Sequence, residues 1–148
     1  MVAKSFWGPV MVSLAEIKAV AERIGRDFRP RKVILFGSYA CGKPTEDSDV
    51  DLLVIMPLRG DPVYKSVEIA LKARPGFPMD ILVRTPAEVR QRLAWNDSFI
   101  RDIMEKGKVL YAADALPSGW RRRKKALAAR HSCRAFRQAA RLALGLKP

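Results

Sequence analysis

The sequence predicts an α/β fold, in which helices alternate with short strands within one domain. Three observations support this prediction. Helix-start signals recur, because Ser13 and Thr85 each open a capping box and Asp61 is followed by a proline. With 148 residues, of which 49% are apolar, the chain can bury one modest core. Apolar runs of strand length lie between the helix signals, at 32–36, about 50–55, 79–83 and 108–111.

The first half of the domain begins with a predicted amphipathic helix, which starts after Ser13 and ends before Pro30. After the strand at 32–36, we expect Tyr39 to begin a short helix. The turn-rich stretch 42–48 then leads into the next strand. The first helix should bury one face, which consists of Leu14, Ile17, Ala21, Ile24 and Phe28.

The second half repeats the alternation of helices and strands. Gly107 should occupy the C′ position of the last helix, where a left-handed backbone favours glycine. The strand at 108–111 then closes the domain. The predicted helices run from Asp61-Pro62 to about Ala73, from Thr85 to about Trp95, and from Asn96-Asp97 to Lys106.

Composition argues against a membrane or disulfide-rich protein. The longest apolar stretch, 52–58, contains Pro57 and is shorter than the ~18–20 residues of a membrane span. Cys41 and Cys133 are far apart in different kinds of sequence. We therefore expect a reduced, cytoplasmic protein without membrane contact.

The residues most indicative of function lie between 33 and 55. One apolar strand ends in Gly37-Ser38, and the next begins after Asp49 and contains Asp51. The spacing of two places both carboxylates on one face. They repel each other unless a cation lies between them, and Mg²⁺ suits such oxygen ligands together with nucleotide phosphates. Gly37 would let the backbone approach a phosphate, to which Ser38 could donate.

A third carboxylate, Asp80, lies in a later apolar strand. Met79, Ile81 and Val83 share one face of that strand, and Asp80 points to the other. An acidic side chain there needs a partner, which a nearby metal site would supply. Each motif alone is commonly a solvated turn, but together they favour a site with three carboxylates.

The set Gly37-Ser38, Asp49-x-Asp51 and Asp80 resembles the signature of polymerase-beta-like nucleotidyltransferases, and most closely the minimal nucleotidyltransferases of prokaryotes. The resemblance covers about 13–112 and implies a small mixed sheet flanked by helices. It also implies that Asp49 and Asp51 bind two Mg²⁺ ions and that Asp80 completes the catalytic one. Gly37 and Ser38 would hold the β- and γ-phosphates of ATP.

Two further residues of the loop bear on this resemblance. Lys43 is a candidate for an additional phosphate contact, although a lysine in such a loop is more often only solvated. Many relatives carry arginine at the position of Cys41, and the cysteine in its place would weaken triphosphate binding. The loop and the three aspartates therefore predict the kind of reaction more firmly than they predict its rate.

The resemblance implies a metal-dependent transfer of a nucleotide to a hydroxyl group. Minimal nucleotidyltransferases are often paired as antitoxins with HEPN-domain toxins, so we expect AMP transfer from ATP to a HEPN tyrosine. One alternative is a non-catalytic module that neutralises a toxin by binding alone. Another is a nucleotidyltransferase that acts on RNA or a small molecule. The oligomeric state is left open.

Positive charge is concentrated beyond this domain. The net charge is +13, of which residues 115–148 contribute ten basic residues and no acidic one, whereas 1–114 hold 18 basic and 15 acidic residues. We therefore predict a domain at 13–112 and a linker with a basic, helical tail at 113–148. The tail could be a solvated helix, a nucleic-acid contact, or a remnant that weakly resembles the opening helices of a HEPN domain.

Overall fold

Eight elements follow one another along residues 11–113, the part of the chain that this computed structural model describes. They confirm the predicted alternation and match the predicted bounds to within about two residues. In chain order they are α1 (Leu14–Phe28), β1 (Lys32–Phe36), β2 (Val50–Ile55), α2 (Pro62–Ala73), β3 (Met79–Arg84), α3 (Pro86–Ala94), α4 (Ser98–Lys106) and β4 (Lys108–Ala112).

The strands form one mixed sheet in the order β3-β2-β1-β4. β2 and β3 are parallel and are joined through α2, while β1 runs antiparallel to both β2 and β4. In this register Asp51 of β2 lies opposite Phe36 of β1 on one side and opposite Asp80 of β3 on the other. The fold class is therefore the small mixed α/β sheet that the sequence predicted.

Side chains cap the starts of the helices as the sequence predicted. Ser13 and Thr85 complete capping boxes with Glu16 and Glu88. Asp61 accepts a hydrogen bond from the Val63 amide at 2.7 Å and is followed by proline at the first helical position. These bonds satisfy amide groups that the first turn of a helix leaves without a partner.

Helices cover both faces of the sheet and produce two apolar clusters. On one face α1 and α2 pack against alternate residues of the strands, including Val33, Leu35, Leu52 and Val54. The opposite face, with α3 and α4, carries the other alternate residues. Its buried members are Ile34, Phe36, Leu53, Ile55, Leu82, Val89, Phe99, Ile100 and Ile103.

Three local predictions were wrong. Residues 38–42 form consecutive turns and not a short helix, because Gly42 has a left-handed backbone with φ of 72° that ends the winding. Leu14, predicted to face the core, is 48% exposed at the first turn of α1. Gly107 ends α4 with an extended backbone. It is glycine because a Cβ would overlap the Ile103 carbonyl and the Ile34 side chain.

Other predictions lie outside the described residues. These are the linker and tail beyond Ala113, together with Cys133. Between residues 11 and 113, no helix is long and apolar enough to cross a membrane.

Candidate active site

The three carboxylates of the sequence motif lie at one end of one sheet face. Asp49 immediately precedes β2, Asp51 is its second residue, and the parallel register pairs Asp51 with Asp80. Because side chains alternate along a strand, Asp51 and Asp80 project from the same face as Leu53 and Leu82. The register thus places Asp51 and Asp80 on one face, whereas Asp49, predicted to share a face with Asp51, lies just before the strand.

Electrostatic repulsion links two of these groups. The pKa of Asp80 is raised above its ordinary value, first by burial and then by the negative charge of Asp49. The carboxylate of Asp80 is thus a better proton acceptor than that of an ordinary aspartate. The charge effect also shows that the two side chains are near enough to interact, although 31 positions separate them in the sequence.

Gly37 lies directly against the carboxylate of Asp51. Its backbone is left-handed, with φ of 76°, and a Cβ built there would overlap Asp51 Oδ2. A side chain at this position would therefore strain the backbone and displace Asp51. The sequence predicted that Gly37 lets the backbone approach a phosphate, but it did not reveal that a carboxylate of the same site is the neighbour.

Backbone hydrogen bonds close the loop that follows β1. The Cys41 amide donates to the Gly37 carbonyl at 3.1 Å, and the Lys43 amide donates to the Ser38 carbonyl at 3.1 Å. Ser38 is buried, whereas Cys41 and Lys43 are exposed. The three residues predicted to bind phosphate, Gly37, Ser38 and Lys43, therefore belong to one closed turn beside Asp51.

A second turn, which sequence reasoning missed, fixes the chain just before Asp49. Ser48 Oγ accepts a hydrogen bond from the Thr45 amide at 2.8 Å and lies 3.0 Å from Thr45 Oγ1. The Ser48 amide donates to the Thr45 carbonyl at 2.9 Å, and the Val50 amide donates to the Pro78 carbonyl at 3.1 Å. Asp49 is thus held between two anchored neighbours. The signal was present as two hydroxyl residues three positions apart.

The donor set suits a hard divalent cation. Between residues 11 and 113, no three His, Cys, Asp or Glu side chains converge closely enough to surround one ion. Asp49, Asp51 and Asp80 nevertheless offer only oxygen atoms, which Mg²⁺ prefers. The repulsion that raises the pKa of Asp80 is also of the kind that a bound cation relieves. The residues present therefore fit magnesium.

Comparison with known proteins identifies the family of this chain. The model of the nucleotidyltransferase domain family matches residues 17–111, which is more than half of the chain. The putative protein adenylyltransferase of Methanocaldococcus jannaschii is 37% identical over 84 residues, which are 56% of this chain and 80% of that protein. The crystal structure of a putative nucleotidyltransferase from Sulfolobus solfataricus matches with a TM-score of 0.48 and 19% identity, over 67% of this chain and 79% of that one.

The matched region runs from within α1 to within β4. It includes the loop after β1, the Asp49–Asp51 pair and Asp80. The chain therefore belongs to the nucleotidyltransferase family, as one of its minimal members.

Proposed function

We propose that this nucleotidyltransferase transfers AMP from ATP to a hydroxyl group of a partner protein. The observation that supports it most strongly is the pairing of Asp51 with Asp80 beside the loop that starts at Gly37. That arrangement offers oxygen ligands next to a turn that also contains the exposed Lys43. The similarity to the putative protein adenylyltransferase of M. jannaschii favours a protein acceptor and adenine.

In the proposed reaction the acceptor oxygen attacks the α-phosphorus of ATP. A phosphodiester bond forms, the bond to the leaving pyrophosphate breaks, and the hydroxyl proton leaves the acceptor. Asp80 is the residue best suited to accept that proton, because its pKa is raised. Asp49, Asp51 and Asp80 would hold two Mg²⁺ ions, which when bound stabilise the charge on the attacking and leaving oxygens.

The loop after β1 would bind the remaining phosphates. Gly37 lets the backbone run close to Asp51, Ser38 offers a hydroxyl, and the exposed Lys43 offers a positive charge. Cys41 is exposed in the same turn and brings no positive charge. We therefore expect weaker triphosphate binding than in relatives that carry arginine at this position.

The acceptor we propose is a tyrosine of a HEPN-domain toxin, which would make this chain the antitoxin of the pair. Residues 11–113 supply a sheet and four helices, and this part of the chain holds no further module that could enclose an acceptor. A partner that presents its own hydroxyl at the sheet end fits this architecture. The resemblance to antitoxins of such pairs supports the choice of a HEPN domain.

The test is transfer of label from ATP labelled at the α-phosphate, in the presence of Mg²⁺ and a HEPN-domain protein as the candidate acceptor. We expect label on the partner, and its loss in Asp49→Asn and Asp51→Asn. Asp27→Asn is the matched control, because Asp27 is an exposed carboxylate near the end of α1. Inhibition of the partner without any label would contradict the proposal and favour the binding-only module.

A further inference from the structure

β3 is one of the two edge strands of the sheet formed by residues 11–113, and its outer side presents backbone groups. The Pro78 and Arg84 carbonyls accept hydrogen bonds from the Val50 and Met56 amides, both 3.1 Å long, at the two ends of the β2–β3 ladder. Because backbone groups alternate in direction along a strand, even-numbered residues point to β2. The N–H and C=O groups of Ile81 and Val83 therefore point outward.

An apolar strip of α2 lies along the same edge. Val63, Val67 and Leu71 follow each other at intervals of four residues and are 67%, 52% and 72% exposed. The opposite flank of α2 faces α1, because Lys65 and Lys72 lie over the Phe28 ring at 5.9 and 5.4 Å. The start of α2 and residues 81–84 of β3 line a groove between helix and strand. This edge thus combines open backbone with exposed apolar surface, which marks a site of association.

We propose that a second copy of this chain covers this edge, through antiparallel pairing of the two β3 strands around a two-fold axis at Leu82. In that register Ile81 of each copy forms a hydrogen-bonded pair with Val83 of the other. Leu82 and its symmetry mate then form a pair of the other type. The open backbone groups of both strands are satisfied, and the two sheets become one of eight strands.

Charge complementarity selects the second copy as the occupant. Asp80 and Arg84 are placed symmetrically about Leu82, so the two-fold register sets Asp80 of each copy opposite Arg84 of the other. Both residues lie on the α3/α4 face, as Leu82 does. An antiparallel strand without this sequence symmetry would not place opposite charges at both ends of the pairing.

Before association, the Arg84 side chain occupies one of the outward backbone groups of β3. Its Nη1 donates to the outward carbonyl of Val83 at 2.8 Å. In the dimer the Ile81 amide of the second copy donates to the Val83 carbonyl, and Arg84 turns to the carboxylate of Asp80 across the axis.

The two α2 helices meet over the paired strands through Val63 and Val67, which adds the apolar area that strand pairing alone lacks. The inference does not depend on the proposed acceptor, but it places Arg84 of one copy beside the Asp80 carboxylate that the proposed function assigns to magnesium and to the acceptor's proton, so the dimer contact and the proposed reaction share this residue.

The first test is the mass of the full chain by sedimentation equilibrium over a range of concentrations. We expect a monomer–dimer equilibrium that Val67→Lys weakens by at least about tenfold. Trp95→Lys is the matched control, because Trp95 is 71% exposed at the end of α3 and belongs neither to α2 nor to β3. A monomer at every concentration would overturn the proposal. A dimer that Val67→Lys does not weaken would overturn it as well.

The second test fixes the register. Cys41 and Cys133 are first replaced by serine, and two variants are then made, Asp80→Cys and Arg84→Cys. Mixing the two chains under oxidation should give a disulfide-linked dimer, since positions 80 and 84 face each other across the axis. Neither variant alone should cross-link, because like positions are then about 13 Å apart along the strand. A dimer without a mixed cross-link, or equal cross-linking of either variant alone, would overturn the β3 pairing.

Discussion

The two ends of β2 use the same sheet face for opposite purposes. At the start of the strand, Asp51 is only partly buried and lies beside Gly37 and Asp80. Two and four residues later, Leu53 and Ile55 are buried against residues of α3 and α4. Side chains alternate in direction along the whole of β2, and the two ends differ only in what the helices cover: α3 and α4 pack against Leu53 and Ile55. A six-residue strand thus links the candidate site rigidly to the apolar core, which is how a small domain can hold charged groups in fixed positions.

The core end should give the largest change in stability. Leu53 is fully buried, so Leu53→Ala should lower the free energy of unfolding by about 2–5 kcal/mol through lost burial and a cavity. Urea unfolding followed by circular dichroism measures this. Leu14→Ala, at an exposed apolar position, is the control and should change stability by less than about 1 kcal/mol. Equal losses in both variants would contradict the assignment of Leu53 to the core.

Gly37 tests the site end of the same face. Gly37→Ala and Gly42→Ala both introduce a side chain at a left-handed glycine, which costs about 1–2 kcal/mol. Only at Gly37 does the new Cβ overlap Asp51, whereas it meets no atom within 4 Å at Gly42. We expect Gly37→Ala to lose an additional ~1–3 kcal/mol of stability and most Mg²⁺-ATP binding in calorimetry. Matching behaviour of the two variants would show that the contact with Asp51 has no consequence.

Substitution of Ser38 tests one phosphate contact and leaves the backbone of the loop unchanged. Ser38→Ala keeps the carbonyl that accepts from Lys43 and removes only the hydroxyl. A hydrogen bond to a charged phosphate contributes about 1.5–3 kcal/mol, so ATP affinity should fall about 10- to 150-fold with little change in melting temperature. Unchanged affinity in a folded variant would remove Ser38 from the phosphate site.

Asp80 should give the smallest effect, and one that depends on pH. Its pKa in the folded chain is raised, so the folded protein binds this proton more tightly than the unfolded chain does. As pH rises from below the ordinary pKa of 3.8 through the folded pKa, the wild type loses stability relative to Asp80→Asn. At neutral pH without metal, Asp80→Asn should be more stable by about 0.5 kcal/mol, the size of exposed charge interactions.

Thermal unfolding at several pH values in a chelating buffer checks the prediction for Asp80. The difference between the two proteins should disappear below pH 3.8. Glu22→Gln serves as the exposed control, because Glu22 lies in the middle of α1 and not at its end, and should show no such gain. A wild type that is the more stable protein at neutral pH without metal would contradict the raised pKa.

The sequence by itself determined most of the elements and the identities of the candidate site residues. Capping by Ser13, Asp61 and Thr85 placed helix starts correctly, because these bonds join residues two or three positions apart. The period of two along a strand put Asp80 opposite in direction to Met79 and Ile81. Capping and strand alternation involve residues that are close together in the chain, so the sequence alone is enough to predict them.

Only the tertiary structure decided which distant residues become neighbours. The pairing of Asp51 with Asp80 depends on the β2–β3 register, which α2 and the core set together. Gly107 looked like a left-handed helix end, but close packing against Ile34 explains it. In place of the helix expected after Tyr39 the chain forms turns, which end in a hydrogen bond to the Ser38 carbonyl. In the first two cases the deciding contact joins groups from different elements, and a local pattern cannot encode the partner that packing will bring to it.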